Sequence, residues 1–80
     1  MDTVEFAKAL SNEDLLSMIS RTERKMNEIR KECGILLFER NFDVDSIKEY
    51  IECYEFEKEN WKVLTAEHYN RVRNQLKQEE

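Results

Sequence analysis

Apolar residues recur through the first half of the chain at alternating steps of four and three. Leu15, Ile19, Thr22, Met26, Ile29, Cys33 and Leu36 form one seam. A seam of this period marks a helix packed lengthwise on another helix, because it keeps one stripe turned toward the partner. The run Leu10-Ser11-Asn12-Glu13-Asp14 predicts where that helix begins. Ser11 is placed to cap it, and the acids of the first turn lie where the helix dipole is positive. Gly34 would suit a C-terminal cap. The seam nevertheless runs through it into the helix-compatible ILLFER, so the helix is expected over residues 12–39.

Asn41 to Ser46 is the cluster of turn and capping residues in the middle of the chain, and it predicts a reversal. Beyond it Ile47, Ile51, Tyr54, Trp61, His68 and Val72 share one helical face, with Tyr50, Leu64 and Leu76 at its margins. Trp61 and Tyr54 are assigned to the core. A helix over residues 46–78 is expected. Lys58 and Thr65 interrupt the stripe, and Leu64 to His68 has the form of a helix start, so a kink or break between residues 60 and 65 is the competing reading. Helices of roughly 40 and 50 Å, at ~1.5 Å per residue, suit an antiparallel hairpin. The segment from Val4 to Leu10 is expected to fold back as a short third helix. The fold class is therefore all-α, a helical hairpin in a single domain over residues 1–80, dimerising into a helical bundle.

Composition agrees with that reading. The chain has 80 residues, 39% charged and 40% hydrophobic, with no Pro and one Gly, which favours long helices. Four Phe, three Tyr and one Trp are more than a disordered segment carries. A chain of this size buries only ~60–65% of the surface its unfolded form exposes, so a partner would add to a marginal core. No apolar run approaches the ~18 residues of a membrane span, and the start is acidic where a secretory signal is basic, so a cytoplasmic protein is expected.

Cys33 and Cys53 are too sparse for a disulfide framework. Each lies ten places from a turn centred at residue 43, and helix axes ~8–10 Å apart hold opposed Cα atoms too far apart for an unstrained bridge. Free thiols close to one another are expected. A zinc site from Cys33, Cys53 and His68 fails on spacing, and neither a metal nor a cofactor is implied. His68 has no identifiable nucleophile or carboxylate to work with, so no enzyme is expected.

The charge pattern needs more care. RTERKMNEIRK, residues 21–31, holds five bases in a chain of net charge −5. At ~100° per residue these bases scatter around the helix, and Glu28 is spaced to pair with Arg24 or Lys31. A returning helix would bring Glu55, Glu57 and Glu59 opposite, which makes the stretch a solvated, internally paired shell. The alternative is a ROP-like dimeric bundle that binds RNA or DNA through Arg21, Arg24 and Lys31, joined by Arg71 and Arg73. The acidic net charge weighs against it.

Two helices leave apolar residues over. Ile35, Phe38, Phe56 and Val63 point away from the seams, and Phe42 and Val44 flank the turn. Val4, Phe6 and Leu10 can cover one end of the hairpin and not both. Ile35, Phe38, Phe42, Val44, Phe56 and Val63 are therefore the expected partner interface. Asp43, Asp45, Glu49, Glu52, Glu55 and Glu59 form an acidic surface beside it. The function expected is a small acidic helical module that binds another protein stoichiometrically, as an inhibitor, adaptor or regulator of the kind phages and mobile elements encode. Its partners are a second protein and a second copy of itself, with no membrane, and nucleic acid is disfavoured and kept as the alternative.

Overall fold

The computed structural model of the chain describes residues 2–38 and 44–79, and the side chains of all of these except residues 36–38 and 79. It is all-helical among the described residues. Helix α1 spans Thr3–Ala9. Asp2, in extended backbone, caps it by accepting the Glu5 amide at 2.9 Å. Seven residues are too few for a helix stable on its own, so α1 depends on what it packs against. Leu10 ends it, again in extended backbone.

Helix α2 spans Asn12–Phe38 and starts where the capping signal places it: Ser11 Oγ accepts the Asp14 amide at 3.1 Å. The helix passes through Gly34, which has no positive φ and so forms no left-handed cap. Helix α3 spans Val44–Glu79 without interruption. Thr65 does not start a new helix, because its hydroxyl donates within α3 to the Trp61 carbonyl at 2.8 Å. Phe42, Asp43 and the centre of the expected reversal lie outside the described residues.

α2 and α3 pack lengthwise as an antiparallel hairpin, and α1 lies against α3. Side-chain bonds set the register. Arg71 reaches Asn12, Trp61 Nε1 donates to Glu23 Oε1 at 3.0 Å, and Tyr50 bonds Glu32. Cys33 consequently sits near Tyr50, and Cys53 lies almost a turn farther along α3. Both thiols are free; Cys33 is half-buried and Cys53 exposed, and they line different grooves. The expected proximity of the two assumed a turn centred slightly too late.

The buried residues are Ala7, Leu15, Ile19, Thr22 and Leu64, all at the end away from the turn. Thr22 is tolerated there because its hydroxyl donates to the Met18 carbonyl at 2.8 Å. Leu10, Met18, Trp61 and Val63 pack around this cluster. α1 reaches the core through Ala7, while the larger Val4 and Phe6 stay exposed. A residue without bulk lets two helix backbones approach.

The inward face of α3 also differs from the expected stripe. Among the half-buried and buried residues of α3, Ile47, Tyr50, Tyr54, Glu57, Trp61, Leu64, His68 and Arg71 recur at alternating steps of three and four. Leu64 is the centre of the core and not its margin, and Ile51 and Val72 are exposed. Trp61 is half-buried, so truncating it should cost less than the ~3–5 kcal/mol of a fully buried aromatic.

Candidate interaction surfaces

At the end away from the turn the geometry is that of a clasp. Arg71 donates through Nη2 to the Ala7 and Lys8 carbonyls at 3.1 and 3.2 Å, and through Nη1 to Asn12 Oδ1 at 2.9 Å. Its Nε donates to Glu67 Oε1 at 2.9 Å. Carbonyls at a helix end are left over from the intrahelical ladder, although that of Ala7 also accepts the Leu10 amide at 3.3 Å, and a guanidinium supplies planar donors that reach both. One side chain thus ties α1, the start of α2 and α3 together. This engages four of the five N–H donors of Arg71, so it is not a free phosphate contact.

Arg21, Arg24, Lys31 and Arg73 are exposed. The ion pairs described, Lys62 with Glu59 at 3.3 Å and Arg71 with Glu67 at 2.9 Å, both lie within α3. The expected pairing of the basic stretch with acids on the returning helix is not among them. Trp61, a neutral donor, instead takes up Glu23 from that stretch.

Toward the turn the hairpin opens. Ile35, Val44, Ile51 and Phe56 are exposed, with Phe56 at 66%. Of the other expected interface residues, Val63 is half-buried, packed on the core and bordered by Val4, Ala7 and Lys8 of α1. It is part of the closed end and not of an open face. Phe42 and the side chain of Phe38 fall outside the described residues, as does Asp43. Asp45, Glu49, Glu52, Glu55 and Glu59 are all exposed.

Two grooves border the open half. In one, Cys33, Gly34, Tyr50, Ile51 and Tyr54 line a largely apolar space of about 350 Å³, with Arg30 and Glu55 at its edges. The other is formed by Phe56 and Cys53 among Glu49, Glu52 and Glu57, with no base, and Phe56 also borders a groove of about 390 Å³ that runs back to α1 past Arg21, Lys25 and Phe6. Ile51 and Phe56 lie about 140° apart around α3, so these are separate surfaces. Near the first, Tyr50 is held protonated above its usual range, chiefly by donating its hydroxyl to Glu32 and then by the negative charge of that carboxylate.

Among the described residues no three His, Cys, Asp or Glu side chains converge as metal ligands do, and no helix is long and apolar enough to cross a membrane. His68 is half-buried on the inward face of α3. Comparison with protein-family models, curated proteins and solved structures finds no match to this chain.

Sequence reasoning missed Arg71 and Leu64 as organising residues. The signal for both was present, since the regular alternation from Ile47 to Arg71 includes polar Glu57 and Arg71. Preferring apolar Ile51 and Val72 hid it.

Proposed function

We propose that this chain acts by stoichiometric binding to another protein, as a small inhibitor, adaptor or regulator, and not by catalysis. The observation that carries the reading is Phe56: a large aromatic side chain, 66% exposed on a helix, bordered by Glu49, Glu52 and Glu57 on one side and by a groove holding Arg21 and Lys25 on the other. Soluble proteins seldom leave an aromatic so open beside a charged rim without use for it. An apolar anchor with carboxylates on one side and bases on the other suits a partner surface that is apolar at its centre and carries complementary charges at its edge, with the charges guiding encounter and the aromatic holding the complex. Ile35 and Val44 extend the apolar surface available in the same half of the hairpin. Self-association into a four-helix arrangement belongs to the same reading.

The test begins with proteins that co-purify with the wild-type chain from its host. The purified candidate is then titrated calorimetrically against wild type and Phe56→Glu. Saturation at one partner per chain, weakened at least about a hundredfold in the variant, is the expected result. Equal affinity for the variant would reject the surface. If the chain instead bound RNA with an affinity that falls steeply with salt, and no protein bound stoichiometrically, the nucleic-acid alternative would replace this reading.

A further inference from the structure

The chain exposes 6584 Å² for a mass of 9.7 kDa. A folded monomer of that mass is expected to expose about 5,100 Å². Its radius of gyration is 16.6 Å, where a compact chain of this length has about 12 Å. The shape explains both excesses, since extents of 58 × 25 × 16 Å describe a long, flat slab. The surplus of roughly 1,500 Å² exceeds the ~800 Å² that each partner buries in a standard interface. A second layer of helices is what this slab lacks.

Gly34 points to where that layer sits. Glycine inside a helix is destabilising, and it is justified where φ is positive or where another backbone comes close. Neither holds within this chain: φ at Gly34 is not positive, and a Cβ built there meets nothing within 4 Å. The groove beside it is walled by Cys33, Ile51 and Tyr54, with Ile51 at 51% exposure. Its charged edges are balanced, with Arg30 on α2 and Glu55 on α3. The Phe56 groove carries three carboxylates and no base, which would repel a copy of itself.

We propose that the Gly34 groove is the site of an isologous homodimer, in which a second copy packs its own Gly34 face antiparallel against the first. Two-fold symmetry brings each Arg30 toward the Glu55 of the other copy, so that both edges are satisfied by one pairing made twice. The absent Cβ at Gly34 lets the α3 backbone of the other copy approach α2. The inference gives the proposed self-association its surface. It leaves the Phe56 face free, so the two readings fail separately.

The experiment is sedimentation equilibrium of the full chain, with circular dichroism on the same samples. Wild type should sediment at twice the mass of 9.7 kDa. Gly34→Gln should keep its helix content and, diluted to monomer, melt no lower than wild type, yet dimerise at least about tenfold more weakly. Those two changes oppose each other, and a merely structural glycine would not produce them together. Arg30→Glu and Glu55→Arg should each weaken the dimer and should restore it when combined. Phe56→Glu should dimerise as wild type does. A wild-type chain still monomeric at about 1 mM, or a Gly34→Gln chain that dimerises undiminished, overturns the proposal.

Discussion

The two ends of the hairpin are built from the same kind of sequence and behave differently. Leu15, Ile19 and Thr22 continue without a break in pattern into Met26, Ile29 and Cys33, yet the first three are buried and the last three only half-buried. At the closed end α1 adds Ala7 to the space between α2 and α3, and Arg71 holds it there. Toward the turn no third helix is described, and Ile35, Val44, Ile51 and Phe56 remain exposed. Seam pattern selects which side of a helix faces its partner. How much water leaves that side depends on how many neighbours surround it, and two helices are too few.

The contrast is sharpest in the core. Leu15→Ala should destabilise the fold by about 2–5 kcal/mol, because it empties a site with no exposure, whereas Ile29→Ala should cost distinctly less. Chemical denaturation of the two variants under identical conditions makes the comparison. Equal costs would mean that the turn half is packed as tightly as the closed end.

Next in size is the clasp. Arg71→Ala removes charge-assisted bonds from a side chain only 23% exposed and should cost roughly 1.5–3 kcal/mol. Amide exchange localises the effect: protection should fall first at residues 5–10 in α1 and its exit, before it falls in α2. Loss spread evenly over all three helices would show that α1 is held by Ala7 packing and not by Arg71.

The smallest effect concerns the open half. Tyr50 has a raised pKa in the fold, so its contribution is fully present below the unfolded value of 10.0 and is lost as pH rises through the folded value. In an alkaline absorbance titration, Tyr50→Phe should remove a component that ionises above the usual tyrosine range. Glu32→Gln should bring that component back toward the usual range, since the amide still accepts a hydrogen bond but carries no charge. Loss of an early-titrating component in Tyr50→Phe would place the Tyr50–Glu32 contact elsewhere.

Much of the architecture was legible from local rules. Ser11 marked the start of α2, continuity through Gly34 followed from the seam, and the hairpin followed from two long apolar stripes with a turn cluster between them. Asp2 and Glu5 also carried a capping signal that went unread, and Asp2 does cap α1. The candidate surface was legible in part. Phe56, Ile35 and Val44 were identified as surplus and are exposed, whereas Val63 has the same apolar character and is packed on the core. No periodicity separates Val63 from Phe56, since both lie on the back of α3 and only the position of α1 distinguishes them.

The sequence by itself thus determined the helices, because capping, propensity and periodicity act between residues a few positions apart. Tertiary structure alone decided which stretch of each stripe became core. That outcome turned on where a seven-residue helix came to rest, and its anchors, Ala7 and Arg71, are too small and too polar to announce themselves as hydrophobic. Burial is a property of the space around a residue and cannot be read from the residue itself.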